Sequence, residues 1–214
     1  NVRNFGIKNS NGKLIFFTDA ACIVTKNWVE EGVNIFSKEN VEGIEGKTVA
    51  ENQNFGASEH FVENFLGGQY QTCNIAYRRS TLLKLGMFNE NYRIAYEDID
   101  LALRVKKKYI IKFNPDMLVF HQLVKWSIRA LISNALRAKD KVMLVKDHNY
   151  KKILKFGILE INSLIVILFP FLLFFYYRFK SVRDFIIIPI FFLRAVIHRL
   201  VIWKAAYKNK ILIF

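Results

Sequence analysis

The 214-residue sequence predicts an α/β fold followed by membrane helices, on three observations. Over residues 1–121, short apolar runs alternate with segments of helical periodicity, the order that builds a sheet covered by helices. Beyond residue 156, two long apolar stretches follow one another. Charge divides the same way, with 15 Lys and Arg against 14 Asp and Glu in residues 1–121 and 17 against 4 in residues 122–214. A hydrophobic content of 52% excludes disorder as the main state. The net charge of +14 does not imply nucleic acid, because the excess flanks apolar segments and no nucleic-acid-binding motif accompanies it. Four regions follow: an α/β domain over 1–121, a basic amphipathic linker helix over 122–155, a membrane hairpin or one span plus an interfacial helix over 156–204, and a tail over 205–214.

Residues 1–11 carry a helical pattern that stops before Gly12, a C-terminal capping residue. Leu14-Ile15-Phe16-Phe17 is a continuous apolar run, as in a parallel strand covered on both faces, and ends at Thr18-Asp19. Thr25 can cap a helix whose Trp28, Val29, Val33 and Phe36 share one face. A strand is expected over Ile44 to Val49, a short helix over Ser58 to Leu66, and a strand over Asn74 to Tyr77. Ser80 then caps a helix that Gly86 ends. After a loop from Asn89 to Tyr96, the acids Glu97-Asp98-Ile99-Asp100 open a helix that closes on Lys106 to Lys108, both ends suiting the helix dipole. Tyr109 to Phe113 and Met117 to Phe120 read as two runs separated by Asn114-Pro115, the second ending at His121. A basic amphipathic helix from Lys125 to about Lys146 leads to the apolar region.

Ile158 to Tyr177 holds one charge, Glu160, in a stretch long enough to span a bilayer, with a kink expected near Phe169 before Pro170. Phe185 to Trp203 is also apolar but contains Arg194, His198 and Arg199, so it either crosses with these turned inward or lies in the interface. Lys141, Lys146, Lys151, Lys152 and Lys155 suit an anionic cytoplasmic leaflet. Cys22 and Cys73 read as buried small hydrophobes in a reducing compartment. The sequence opens on Asn1 with no signal-peptide pattern and reads as trimmed at its start.

Candidate chemistry sits at element ends. Asp19 follows a strand, where open α/β sheets bind ligands; Glu97-Asp98 begins a helix; His121 follows another strand. Each alone reads as a cap, a dipole-complementing acid or a core histidine. Together in one cleft they would supply a carboxylate and an imidazole for a divalent cation and a second carboxylate as general base.

The segments Arg3-Asn4-x-Gly6-Ile7, Gly12 to Ala20, Thr72 to Arg79, Gly86-Met87-Phe88-Asn89-Glu90 and Tyr96 to Arg104 occur in an order that resembles the family 2 glycosyltransferases of the GT-A fold. The resemblance covers roughly residues 1–121 and implies a partial GT-A mixed sheet and sugar transfer from a nucleotide-sugar with inversion, as in cell-surface glycan biosynthesis. It implies that Asp19 is the first acid of an Asp-x-Asp motif holding metal and donor diphosphate, Asp98 the base with Glu97 beside it, and His121 a further metal ligand. Asn74, Arg78 and Arg3 are the implied substrate-binding residues. The implied cofactor is Mn or Mg, bound weakly or not at all because Ala21 stands where the second acid belongs. The family's N-terminal nucleotide-binding half is expected to be missing, so the sequence reads as the C-terminal part of a membrane enzyme or a decayed copy. Implied partners are a nucleotide-sugar donor, a lipid-linked or glycan acceptor and membrane lipids, at the cytoplasmic side of a cell membrane. The alternative is an inactive membrane-bound fragment that acts by binding.

Overall fold

The computed structural model describes residues 2–150, 154–155 and 158–212, in two compact units. The first comprises Asn1–Gln53, Phe61–Arg93 and Glu97–Leu123. Along the chain lie α1 (Val2–Asn9), β1 (Leu14–Thr18), β2 (Cys22–Val24), α2 (Trp28–Lys38), β3 (Gly43–Ala50), β4 (Glu59–His60, part of the second unit), β5 (Asn74–Arg78), α3 (Arg79–Lys84), α4 (Glu97–Lys106) and β6 (Ile111–His121). The five long-range strands form one mixed sheet in the order β1-β5-β3-β6-β2.

The period-2 alternation of strand side chains divides the core between the two faces. Ile75 and Tyr77 of β5 join Ile7, Leu82, Phe88, Leu101 and Val105 on one face, while Ala76 joins Trp28, Phe36, Ile44 and Met117 on the other. On β1, Ile15 and Phe17 pack toward the first cluster and Leu14 and Phe16 toward the second. The strand is therefore covered on both faces as expected, but it is not parallel: it is an edge strand paired antiparallel with β5.

Other local expectations are corrected. The two runs around Asn114-Pro115 are one strand, because β6 absorbs the proline in a bulge where its parallel register against β3 jumps from Gly46↔Asn114 to Lys47↔Leu118. Gly46 is required there: a Cβ would lie 2.2 Å from the Met117 carbonyl oxygen. Thr25 does not cap α2; its hydroxyl donates to the Leu118 carbonyl at 3.2 Å. Ser80 lies inside α3, whose N-cap is Arg78. No helix forms over Ser58 to Leu66, where residues pair as β4 or run irregularly.

The second unit comprises Asn54–His60, Ile94–Tyr96 and Val124–Phe214. It adds β7 (Val124–Lys125), which pairs with β4, then α5 (Ile128–Ala135), α6 (Ala138–His148), β8 (Leu154–Lys155), β9 (Ile158–Leu159), α7 (Ile161–Leu168), α8 (Leu172–Tyr176), α9 (Val182–Ile186) and α10 (Ile188–Asn209). The single helix expected over Lys125 to Lys146 is thus two. The apolar stretch Ile158 to Tyr177 is not a continuous span, because Pro170 breaks it into two helices of 8 and 5 residues, far short of a bilayer. The candidate span is instead Val182–Asn209, 28 residues including α9 and α10, long and apolar enough by length and composition. Its charged side chains pack within the helical unit: His198 and Arg199 are buried and Arg194 donates to Asn134 Oδ1 at 2.6 Å. Of the lysines assigned to the leaflet, Lys141 pairs with Glu160 and Lys146 with Asn209, while Lys151 and Lys152 lie outside the described residues.

Candidate active site

A reciprocal amide contact begins the site. Asn4 of α1 donates to the Phe88 carbonyl and accepts from the Phe88 N–H, both at 2.9 Å, which docks α1 on the turn after α3. Arg104 holds that turn from the other side, donating to the carbonyls of Leu85 and Met87 at 2.6 Å each while paired with Asp100. The i,i+4 spacing of Asp100 and Arg104 on α4 was a signal that could have found this pair. With α1 docked, Arg3 reaches two separate motifs: Glu97 Oε1 at 2.7 Å and Asp19 Oδ1 at 3.6 Å.

Asp98 adjoins this cluster at the first turn of α4. Its carboxylate accepts from the N–H of Ile99 at 2.8 Å and of Thr72 at 3.4 Å. Burial, with Glu97 alongside, pushes the carboxyl up to about 6 against those hydrogen bonds and the field of Arg3. A base of that strength is mostly ionised at neutral pH yet holds a proton better than a surface aspartate.

Thr72 is delivered by a loop that sequence reasoning missed. Buried Glu45 of β3 accepts from the backbone N–H of Gly68 at 2.6 Å, Gln69 at 2.9 Å and Tyr70 at 2.5 Å, and from Asn64 Nδ2 at 2.8 Å. Gly67 and Gly68 there have φ of 77° and 87°, the left-handed region that glycine allows. A glutamate inside the apolar pattern of Ile44 to Val49 was one available signal and the separate Gly67-Gly68 pair another, but nothing local joins them.

His121 ends β6 opposite Cys22 of β2, and the turn Asp19-Ala20-Ala21-Cys22 closes with Cys22 N–H to Asp19 carbonyl at 3.0 Å. Asp19 and His121 therefore flank one turn. His121 Nδ1 lies 2.8 Å from the Gln122 carbonyl, a contact that as a donor leaves Nε2 with a free lone pair, as in a metal-ligating histidine. Among the described residues no group of three or more His, Cys, Asp or Glu side chains is arranged for a metal. Asp19 and His121 are the two possible donors beside Ala21, too few to cage an ion by themselves.

The remaining candidates are occupied differently. Asn74 is buried, accepting from Trp28 Nε1 and donating to the carbonyls of Lys47 and Met117, all at 2.8 Å, so its amide fastens β5 to its neighbours. Arg78 donates to the carbonyls of Phe36 and Val41. In the β1–β5 register Arg78 faces Leu14 while Asn74 faces Thr18, which puts Arg78 four residues, about 13 Å, along the strand from the Asp19 end. Neither joins the acidic cluster by a direct bond. Cys73 is buried beside Thr48, and burial with Cys22 nearby pushes its thiol up to about 12.

The sequence model of Glycosyl transferase family 2 matches residues 1–103. No curated protein matches the chain. Among solved structures, the mannosyltransferase PcManGT from Pyrobaculum calidifontis, in complex with GDP-Man and Mn2+, is similar in fold, with a TM-score of 0.50 at 14% identity. The match covers 95% of this chain and 51% of that one, so this chain spans about half the length of its structural relative. The mixed sheet with flanking helices is a GT-A-like glycosyltransferase fold, and residues 1–103 form a glycosyltransferase family 2 domain, partial relative to the solved chain.

Proposed function

We propose that the chain is the base-bearing, membrane-attached portion of an inverting glycosyltransferase that moves a sugar from a nucleotide-sugar to a glycan or lipid-linked acceptor on the cytoplasmic side of a membrane. The observation that carries this reading is the Arg3 bridge, which joins Asp19 to Glu97 next to Asp98 and so draws three separate motifs into one cluster. Asp98 takes the proton of the acceptor hydroxyl as that oxygen attacks the anomeric carbon, a contribution of about 10²–10⁴-fold. The bond from that carbon to the diphosphate breaks on the opposite face, which inverts the configuration. Arg3 neutralises Glu97, keeping a second negative charge from suppressing ionisation of Asp98. Asp19 and His121 would hold a divalent cation, which when bound offsets the charge that develops on the departing diphosphate. Ala21 weakens that ion's hold by one ligand.

Membrane attachment is supported by the candidate span Val182–Asn209 and by the apolar side chains the second unit exposes, among them Leu168, Phe175, Tyr176 and Ile186. In detergent, the full-length protein should release nucleoside diphosphate from a nucleotide-sugar when acceptor is added, and Asp98→Asn should suppress release at least ~10²-fold. Undiminished release in that variant would remove Asp98 as the base. Ala21 favours a second reading, glycan or nucleotide binding without transfer. Ala21→Asp in the full-length protein separates the two: metal-dependent transfer appears or rises in a weakened enzyme and stays absent in a binding protein.

A further inference from the structure

We propose that the helix Val182–Asn209 lies flat in the surface of a bilayer that contains anionic lipid, and does not cross that bilayer. This rests on the membrane attachment proposed above and specifies its geometry. Val182, Ile186, Leu193, Leu200 and Tyr207 are all exposed. They recur at steps of four and then seven residues, which at 3.6 residues per turn sets them on one side of the helix. The stripe they form is about 38 Å long. Asp184, Phe191, His198 and Ile202, at steps of seven, seven and four, fall on the opposite side, and all four are buried. A helix on the surface of a water-soluble domain has the reverse arrangement, with its apolar side inward and its polar side outward.

The cover over the buried side decides the orientation. Leu131 of α5 clusters with Ile188 and Phe191 near one end of α10, and Ala138, Val142 and Val145 of α6 cluster with Ile202 and Ala206 near the other. These covering helices and the turn between them expose Arg129, Arg137, Lys146 and Asp147. A crossing helix would carry those charges into hydrocarbon with it, where each is costly. Lying flat, α10 gives its stripe to the acyl boundary and leaves the α5–α6 side in water. Charge selects the lipid. Lys204 and Lys208 are exposed beside the stripe, while Asp184, the one acid in Val182–Asn209, is buried and accepts from the N–H groups of Ser58 and Ser181. A basic flank along an apolar stripe suits anionic headgroups and opposes the same stripe of a second copy.

The test reads depth and affinity on the full-length protein mixed with phosphatidylcholine vesicles, with and without phosphatidylglycerol. Nitroxide labels are placed singly through Val182→Cys, Leu193→Cys, Leu200→Cys and Tyr207→Cys, with the unsubstituted protein giving the background from Cys22 and Cys73. All four labels should report the same shallow depth by oxygen and nickel-chelate accessibility. In flotation, vesicles with phosphatidylglycerol should bind at least about 10-fold more tightly than those without, and Lys204→Gln with Lys208→Gln should remove most of that preference. Leu200→Asp, at an exposed position that spares the fold, should weaken binding at least ~10-fold. A depth that peaks at positions 193 and 200 and vanishes at 182 and 207 would overturn the flat orientation while leaving membrane attachment standing. Equal binding to both vesicle types would overturn the choice of anionic lipid. Protein that ignores vesicles and sediments as a dimer would overturn the proposal and the attachment together, in favour of a second copy on the stripe.

Discussion

Replacing Asp98 by Asn should remove the proposed base and make the fold more stable above about pH 6. The carboxyl is pushed up to about 6 from an ordinary 3.8, so the native state holds its proton more tightly by roughly two pH units, about 3 kcal/mol. Between those values the native state binds more protons than the unfolded chain, so stability falls as pH rises through the window and the full penalty stands above it. Asn carries no charge and escapes that penalty. It keeps an oxygen for the Ile99 N–H but gives up the Thr72 contact, long at 3.4 Å and worth about 1 kcal/mol. The net is a gain of about 2 kcal/mol near pH 8 and a loss of about 1 kcal/mol near pH 4. Denaturant unfolding of both proteins across that range measures the crossover. A difference independent of pH, or a variant less stable than wild type near pH 8, would refute the argument that burial and Glu97 strain the ionised carboxylate.

The proposed transfer should fall about tenfold per pH unit below about pH 6 as Asp98 protonates, and Arg3→Gln should move that acid limb upward by leaving Glu97 unneutralised; a limb that stays in place in the pH–rate profile contradicts the bridge's electrostatic role. Glu45→Gln sets an amide NH2 against backbone N–H donors, and about 2–4 kcal/mol of stability should be lost, with protease cleavage appearing near Gly67 and Gly68. Gly46→Ala drives a methyl into the Met117 carbonyl, so unfolding should come at least about 1–3 kcal/mol sooner in denaturant. Cys73, with its thiol near 12, should resist iodoacetamide at about pH 8 in the native protein and react once it is unfolded, as mass spectrometry would show.

Element positions were largely legible because they rest on local patterns, and the errors fall where distant groups decide. The run Leu14–Phe17 announced a strand with two covered faces, but its antiparallel pairing with β5 depends on a partner some 60 residues on, which no local pattern encodes. Thr25 looked like a cap, yet the Leu118 carbonyl offered its hydroxyl a partner from β6. Asn74 stood in a motif and proved to be a buried clamp, a role visible only once Trp28, Lys47 and Met117 surround it. In the second unit, hydropathy favoured Ile158 to Tyr177 because it counts apolar residues and ignores the missing N–H of Pro170. The charged stretch scored worse and made the long helix, since helices packed around α10 let its arginines turn inward.

The placement of the acids is a consequence of packing as much as of chemistry. Leu14 and Phe16 serve one core and Ile15 and Phe17 the other, so a slip of β1 by one residue would exchange the two sets and cost both clusters. That register fixes Thr18 opposite Asn74 and therefore fixes Asp19 just beyond the end of β5, where Cys73 and Thr72 follow. Thr72 in turn bonds Asp98, while the Asn4–Phe88 contact sets the reach of Arg3 across to Glu97. Asp19 and Asp98, brought in by a strand and a helix that never pair, thus meet around the same strand end without a direct bond between them. Loosening Asn4, by Asn4→Ala, should then disturb Arg3 and the acid limb of the rate profile while leaving Asp19 in place, an effect that a purely local role for Arg3 would not produce.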